Sequence, residues 1–298
     1  MILLTRWISV ALLSAMIVTC PASAFEDWSP LIQRLIDDNF DEKNIQALFA
    51  DPVVKFDPDA MSNKLRDLIN SRFKKPSTTP AEKYKRVYER FLTPTVIAGA
   101  RSYTRHNRTM LEDAEKNFCV PKEIIVAILL VETDLEVFLG AKPAFNTLAS
   151  MALSNTLDRI RPYLPLDMIT SENEEFAIKK CNQKSEWAYQ ELKALIRYAS
   201  TRHIDPRGIP GSIYGAIGIC QFMPSKISSF GVDADNDGTI DVFSKGDAFF
   251  SIANYLYNHG WTCRMNHNNR HKIIMSYNHS SIYANTVLQI AEMIKQEN

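Results

Sequence analysis

Residues 120–140 read VPKEIIVAILLVETDLEVFLG, and this stretch decides the fold. Pro121 suits the first turn of a helix, because the N–H that it lacks has no partner in that turn. The residues 124–131 are all apolar, so no face of that helix is left for water. The stretch therefore predicts a helix that is buried on all sides.

Glu132 follows this apolar run directly and lies near the predicted C-terminus of the helix. Desolvation and the negative end of the helix dipole both favour a neutral carboxyl, so we expect a raised pKa, which suits a general acid. The alternative is that the helix has already reached the surface there. Glu132 would then be a solvated end residue beside Asp134 and Glu136, which is the common situation for carboxylates.

Helical periodicity continues along most of the remaining chain, and no stretch alternates polar and apolar residues as a long strand would. Helices are predicted over 30–48, 80–100, 104–118 and 185–200, whereas 164–183 is polar and is predicted to be irregular. The predicted fold class is therefore mainly α.

The composition is that of an ordinary globular protein, with 298 residues, 46% hydrophobic and 23% charged. This content excludes disorder as the main state. The 34 basic and 34 acidic side chains balance, so there is no broad electrostatic field for nucleic-acid phosphates or an anionic membrane surface. We therefore expect no nucleic-acid partner and look for a local site instead.

The N-terminus has the pattern of an export signal. Arg6 precedes the apolar run 7–18, which is too short to span a bilayer comfortably, and the small residues at 22–24 offer a cleavage site. We therefore predict cleavage after residue 24 and a periplasmic protein. Lipidation at Cys20, with outer-membrane association, is the second interpretation, which we rank lower because Thr19 stands where a lipoprotein signal carries a small residue such as Gly, Ala or Ser.

The cysteines that remain after that cleavage are Cys119, Cys181, Cys220 and Cys263. In an exported protein they allow two disulfides in any of three pairings, and the sequence cannot choose among these. The alternative is that some are buried free thiols, because a chain of this size does not need disulfide cross-links to fold. We expect at least one disulfide.

His259, Cys263, His267 and His271 recur at every fourth position, which could suggest a zinc site. The metalloprotease version needs a Glu beside the first His, which is absent, and Gly260 interrupts the helix. Zinc binding is therefore the weaker interpretation of this spacing.

The segment 212–225 reads SIYGAIGICQFMPS and combines small residues, a Gln and aromatic rings in a short, turn-rich stretch. A backbone that approaches a polar ligand closely requires this composition. The alternative is that Gly215 and Gly218 mark only tight helix packing.

A third segment, 233–241, reads DADNDGTID and places oxygen ligands at alternate positions, with glycine at position six. This pattern is typical of the opening of an EF-hand type of calcium loop. Ser244 stands where the bidentate Glu of position twelve belongs, and Asp247 would close the site if the loop is extended. The alternative is an acidic surface loop, but the regular spacing with the glycine favours calcium.

Together with SYNHSSIY at 276–283, these segments resemble the membrane-bound lytic murein transglycosylase B type of peptidoglycan-cleaving enzyme. The resemblance runs in order from about residue 121 to the C-terminus. Glu132 matches the Glu of the family's E-T motif, which is its sole acid/base, whereas Glu136 replaces an expected Gly. The family's S-x-x-G-A-x-G-x-x-Q-F-M-P-S motif is matched over 212–225, except that Ile219 and Cys220 replace the more usual Tyr and Pro.

The resemblance implies an activity and a site. In this family a general acid cleaves the β-1,4 bond between N-acetylmuramic acid and N-acetylglucosamine in peptidoglycan glycan strands. The C6 hydroxyl of the muramoyl sugar is the internal nucleophile and gives 1,6-anhydromuramic acid ends, so one carboxyl suffices, here Glu132. The implied substrate-binding residues are Ser212, Gln221, Tyr277, Asn278 and Tyr283. The implied ligands of a structural Ca²⁺ ion are Asp233, Asp235, Asp237, Thr239 and Asp247.

The resemblance also implies a domain organisation. The signal peptide covers 1–24, a helical N-terminal region 25–118, and a lysozyme-like transglycosylase core 119–298, with an inserted helical segment around 155–200.

Two other functions stay open. One is a non-catalytic peptidoglycan-binding or assembly protein that keeps the groove for the glycan strand. This alternative arises because Glu136 and Cys220 stand where the family carries other residues. A hydrolytic muramidase would need a second carboxylate facing Glu132, for which Glu136 and Asp134 are the local candidates.

Overall fold

The structure is a computed structural model that describes residues 27–73 and 87–296. The predicted signal peptide 1–24, Cys20 and residues 80–86 lie outside these ranges. Within them, no helix is both long enough and apolar enough to cross a membrane.

The described residues form mainly α-helices, and the predicted fold class is confirmed. The helices are α1 (Ser29–Asp37), α2 (Glu42–Ala50), α3 (Asp59–Phe73), α4 (Pro94–His106), α5 (Arg108–Phe118), α6 (Lys122–Thr133), α7 (Ala144–Leu153), α8 (Leu157–Ile160), α9 (Glu174–Thr201), α10 (Pro224–Phe230), α11 (Lys245–Asn258), α12 (His267–Tyr277) and α13 (Ser281–Lys295). Short 3₁₀ helices lie at Glu89–Phe91, Arg161–Tyr163 and Pro206–Gly208. The strands β1 (Lys142–Pro143) and β2 (Pro210–Gly211) pair antiparallel.

Helix α6 runs through the core, as its sequence predicts. Every residue from Ile124 to Leu130 is at most 3% exposed. Helices α13, α4, α5 and α11 pack around it, which an all-apolar helix requires because it has no polar face to offer to water. The last turn of α6 thereby carries Glu132 out of the core at a fixed place.

The long helix α9 organises the other part of the molecule. It packs against α7, α3 and α10, and α7 also contacts α1. Helix α7 leads directly from β1, so the β1–β2 pair connects the turn that follows α6 to the segment 212–225. The division of the chain at residue 118 and the insertion around 155–200 stay predictions.

The single helix predicted over 30–48 is wrong, because the chain breaks into α1 and α2. Asn39 adopts a left-handed backbone conformation with φ 65°, which ends the first helix. Asp41 then caps the second helix, since its side chain accepts a hydrogen bond from the N–H of Asn44 at 2.8 Å. The charged stretch between the two apolar clusters is therefore a turn.

Three other predicted boundaries also differ. Helix α4 begins at Pro94, because Thr93 caps it, so the described residues 87–93 lie outside the α-helix predicted over 80–100. Asn107 separates α4 from α5, and its side chain bonds the carbonyl of Tyr103. Helix α9 begins at Glu174, inside the stretch predicted to be irregular. Its buried side there consists of small residues such as Ala177 and Cys181, which give a weak apolar signal.

One disulfide, Cys119–Cys263, joins the end of α5 to the loop before α12, which confirms the expectation of at least one. Cys181 and Cys220 are free and buried. Since Cys263 is used in the disulfide, it is not available to the weaker zinc interpretation. His259 lies instead against the ring of Tyr255, stacked at a centroid distance of 4.0 Å.

Candidate active site

Glu132 is the last residue but one of α6 and is partly exposed. The helix ends here because Asp134 adopts the left-handed conformation, with φ 50°. Glu132 opens onto a cavity of about 430 Å³, lined also by Arg90, Val96 and Phe138, which we call the Glu132 cavity. The alternative of a solvated helix end is therefore only partly correct. Glu132 is partly exposed, but its carboxyl lies at the wall of a concave site.

Burial raises the pKa of Glu132 from its ordinary 4.5 to about 7. The Tyr283 hydroxyl and the Lys226 ammonium act in the opposite direction, since both stabilise the carboxylate, but burial outweighs them. The carboxyl is therefore protonated in mildly acidic solution and titrates close to neutrality, as a general acid should. Among the described residues, no second carboxylate contributes to this shift.

Tyr283 faces Glu132 from the first turn of α13. Its side chain is buried, with 1% of the residue exposed, and its pKa is raised well above the usual range by burial and by the charge of Glu132. Its hydroxyl is directed at the Glu132 carboxyl, and the hydrogen bond between them favours the carboxylate form of Glu132. Tyr283 is therefore a hydrogen-bond donor placed beside Glu132.

Tyr277 also lies near Glu132, but its hydroxyl is occupied. It donates to the backbone carbonyl of Cys220 at 2.5 Å, and its ring packs against Phe222 and Tyr255. Tyr277 therefore holds the segment 212–225 from behind. Asn278 follows it at the end of α12 and is exposed.

The turn 212–216 is closed by the side chain of Ser212. Its Oγ accepts hydrogen bonds from the N–H groups of Ala216 at 3.0 Å and Tyr214 at 3.4 Å. Both bonds use the oxygen as an acceptor, so the hydroxyl hydrogen is left to donate. The serine therefore shapes its own turn and still offers a donor.

Gln221 connects this segment to the turn after α6. Its Nε2 donates to the carbonyls of Gly218 at 2.9 Å and Leu139 at 3.3 Å, and its backbone is left-handed with φ 48°. Two donors of one amide are thus engaged within the protein, and the Oε1 is the group that it can offer to a ligand. Gln221 and Ser212 therefore both have structural contacts that the sequence does not predict.

The place of Glu136 in the sequence, four residues after Glu132 and past the predicted helix end, favours a solvated end residue, but the structure differs. The Glu136 side chain is 21% exposed, accepts a hydrogen bond from the Tyr103 hydroxyl and pairs with Lys245 at 3.4 Å. The interpretation is wrong because α4 and α11, which are distant in sequence, bring these two partners over it. Glu136 is also not among the groups that shift the pKa of Glu132.

Three further residues belong to this region, and the sequence analysis missed them. Lys226 directly follows the matched segment 212–225, and its charge reaches Glu132. Arg90 and Phe138 line the Glu132 cavity, where Phe138 is 58% exposed. No spacing in the sequence marks Arg90 or Phe138, whereas a lysine directly after a ligand-type segment was a signal that we could have used.

The predicted calcium ligands converge in part. The carboxylates of Asp233, Asp235 and Asp237 each offer an oxygen, and these oxygens lie within 4.8 Å of one another. Gly238 makes the sharp turn with φ 91°, as position six of such a loop requires. Three hard oxygen ligands around one point suit Ca²⁺.

Asp247 and Thr239 are the two other implied calcium ligands of this loop. Asp247 is buried, with 2% exposed, and accepts hydrogen bonds from the N–H groups of Ala234 at 2.9 Å and Asp241 at 2.6 Å. Burial, with the charges of Asp235 and Asp233, raises its pKa. Thr239 donates its hydroxyl to Asp237, so a backbone carbonyl is what it would give to a metal. The converging carboxylates of Asp233, Asp235 and Asp237 therefore fit a divalent cation.

Calcium is expected to raise the melting temperature. A ligand that binds only the folded state at 100 times its Kd stabilises by about 2.7 kcal/mol, or roughly 5–10 °C for a chain of this size. The measurement is thermal unfolding with calcium and with chelator, and Asp237→Ala should remove the difference. The exposed Asp167→Ala, which lies outside the loop, is the matched control. An unchanged melting temperature in chelator would identify the loop as an acidic turn only.

The comparisons with known proteins agree with this fold. The family described as Transglycosylase SLT domain matches residues 24–270. Since this match covers most of the chain, the protein belongs to that family.

In sequence, the chain is similar to the membrane-bound lytic murein transglycosylase B of Escherichia coli (strain K12), with 28% identity over 187 residues. The match covers 63% of this chain, and the chain spans about half the length of that protein, 45%. Among solved structures, the E. coli lytic transglycosylase SLT35 in complex with calcium is 20% identical, with TM-score 0.68 over 91% of this chain and 93% of its own. SltB3 from Pseudomonas aeruginosa in complex with NAG-anhNAM-pentapeptide is 20% identical, with TM-score 0.68 over 92% and 80%. These likenesses confirm the lysozyme-like fold.

Proposed function

We propose that this protein is a peptidoglycan lytic transglycosylase. It cleaves the β-1,4 bond between N-acetylmuramic acid and N-acetylglucosamine and leaves 1,6-anhydromuramic acid ends, with Glu132 as the sole acid/base. Family membership supports the reaction class, and the name of the E. coli relative and the anhydro sugar bound to SltB3 support the substrate and product.

The observation that carries this proposal is a single carboxyl with a pKa of about 7 at the wall of a cavity. A hydrolytic muramidase needs a second carboxylate across the sugar. Of the local candidates, Glu136 is bound by Tyr103 and Lys245, and neither Glu136 nor Asp134 shifts the pKa of Glu132. An internal nucleophile is the route that works without such a group.

The chemistry then divides into two proton transfers at one carboxyl. Protonated Glu132 gives its proton to the glycosidic oxygen as the bond to C1 breaks. The resulting carboxylate takes the proton of the muramoyl C6 hydroxyl as that oxygen attacks C1, which returns Glu132 to its starting form. A pKa near the working pH lets one group serve in both directions.

The substrate-binding roles follow from the polar groups that the protein itself does not use. We assign the hydroxyl of Ser212 and the Oε1 of Gln221 to hydrogen bonds with the sugar. Tyr283, whose hydroxyl acts on Glu132, is assigned to the groove wall. Exposed Asn278 directly follows Tyr277 in sequence and is assigned to the groove wall. Tyr277 supports the groove through Cys220 rather than through its own hydroxyl.

The remaining assignments belong to the same proposal. A structural Ca²⁺ ion bound by the 233–247 loop is supported by the converging carboxylates and by the calcium complex of SLT35. Periplasmic location after export is supported by the N-terminal signal pattern and by the substrate. Lipidation at Cys20 remains the lower-ranked route to the outer membrane.

The test is mass spectrometry of peptidoglycan digested by the purified protein. Anhydromuramic ends are expected. Reducing muramic ends would identify a hydrolase, and undigested material that still retains the protein would identify a binding or assembly protein. Either of these two outcomes overturns the proposal, and the Glu132→Gln variant serves as the inactive control.

A further inference from the structure

The turn that follows Glu132 has an unusual backbone. Asp134, Leu135 and Glu136 all have positive φ, at 50°, 57° and 78°. Each such residue costs roughly 1–2 kcal/mol relative to the right-handed conformation, because its Cβ crowds the carbonyl oxygen. Three in succession persist only where surrounding contacts fix them. The contacts that do so here can be identified.

Glu136 makes most of these contacts. Its N–H donates to the Oγ1 of Thr133 at 3.1 Å, and that hydroxyl donates to the carbonyl of Leu129. Its carboxylate accepts from the Tyr103 hydroxyl on α4 and pairs with Lys245 at the start of α11. One side chain thus attaches the turn to two helices that are distant in sequence.

The two partners also support each other. The Lys245 ammonium lies 5.2 Å from the centroid of the Tyr103 ring, which is a cation–π distance. The same ring packs edge-on against Phe249 of α11 at 6.2 Å. Because the Glu136 and Lys245 side chains are only 21% and 38% exposed, this ion pair is screened less than one on an open surface.

The residues on either side of Glu136 face the site. Glu132 precedes it by four residues, and Phe138 follows it on the rim of the Glu132 cavity. The next carbonyl, that of Leu139, accepts the side-chain hydrogen bond of Gln221. A shift of the Glu136 anchor would therefore move the end of α6, the cavity rim and the support of Gln221 together.

We propose that Glu136 is a positioning residue for the reaction at Glu132. By binding Tyr103 and Lys245 it holds the left-handed turn in the one conformation that aims the Glu132 carboxyl at the glycosidic oxygen. This inference rests on the proposed transglycosylase activity. A misplacement of about 1 Å in such a group costs on the order of 10²-fold in rate.

The first test is Glu136→Gly, which places the residue of the family pattern at this position. Glycine adopts positive φ without strain, so the melting temperature should stay the same or rise. The anchor is lost, so kcat should fall about 10–100-fold with a smaller change in KM. The matched control is Asn39→Gly, because Asn39 has φ 65° in a turn away from the cavity and its change should leave kcat unaltered.

The second test is a double-mutant cycle that does not depend on glycine. Glu136→Gln and Lys245→Met each remove the same ion pair, whereas Gln keeps an acceptor for Tyr103. The kcat of both variants should fall by a similar factor, which is smaller than the factor for Glu136→Gly. The kcat of the double variant should fall no further than that of either single variant. Additive losses, or a full kcat in Glu136→Gly, would overturn the proposal. A kcat that falls only in proportion to the folded fraction would also overturn it.

Different results would contradict the proposed function and the role of Glu136. If the wild-type protein releases no anhydromuramic ends, the proposed function is wrong. If it releases them and Glu136→Gly turns over at the wild-type rate, the proposed function stands and the role of Glu136 is wrong.

Discussion

Replacement of Glu132 by Gln is expected to abolish turnover while leaving the fold and sugar binding intact. The change removes the only proton donor that we assign to the leaving oxygen, with almost no change in volume. The loss should be at least the ~10²–10⁴-fold that general acids and bases contribute. Release of soluble muropeptides measures it. Glu123→Gln, at the other end of α6, is the matched control, and residual activity within a few-fold of the wild type would contradict the assignment.

The pH dependence of the wild type follows from the same carboxyl. The protonated form starts the reaction, so kcat/KM should fall as pH rises through about 7, the pKa that burial gives Glu132. This decrease in kcat/KM should result from ionisation of Glu132 and not from unfolding of the protein. Unfolding curves at each pH separate the two causes.

Folding stability provides a check that needs no substrate. Burial raises the pKa of Glu132 from 4.5 to about 7, so the folded state binds the proton more tightly than the unfolded state. Protonated Glu132 therefore adds to the free energy of unfolding. This contribution is complete below pH 4.5 and is lost as pH rises through about 7. The two pKa values differ by about 2.5, which corresponds to roughly 3 kcal/mol at 1.36 kcal/mol per pKa unit. Glu132→Gln should therefore be more stable than the wild type at pH 8, with no such gain at pH 4.

Loss of the Cys119–Cys263 disulfide is expected to give the largest change in stability. The bond joins residues separated by 144 positions, so it removes much conformational freedom from the unfolded chain. The chain-entropy relation gives about 5 kcal/mol for such a loop, and loss of a native disulfide typically costs about 2–5 kcal/mol. Urea unfolding of the Cys119→Ala/Cys263→Ala variant measures this difference.

Reducing agent supplies the control for that prediction. It should lower the midpoint of the wild type to that of the double variant and leave the double variant unchanged. An equal midpoint in oxidised and reduced wild type would contradict the expected contribution.

The parts of this protein that the sequence predicts are those with a strong local signal. Eight apolar residues in succession can only form a buried segment, so α6 and the raised pKa of Glu132 follow directly. The alternating aspartates with Gly238 likewise predict a loop in which carboxylates converge. In both cases the residues that decide the outcome are neighbours in the chain.

The predictions that were wrong or incomplete depend on contacts between distant segments or on weak signals. Glu136 looked solvated because Tyr103 and Lys245 reach it only through the packing of α4 and α11. The start of α9 was missed because its buried face near Ala177 uses small residues. The disulfide pairing could not be chosen, since nothing in a spacing of 144 residues sets two cysteines together.

Among the described residues, the two free cysteines are internal reporters of local opening. Cys181 lies in α9 and Cys220 in the segment behind Glu132, both at 0% exposure, and burial raises the pKa of their thiols to about 11 and about 12. A thiol reagent reacts with the exposed thiolate, so neither can be labelled until its own segment opens. The labelling rates of the two thiols, followed by peptide mass in the native protein, would therefore show whether the segment 212–225 opens separately from α9 or only when the whole fold opens.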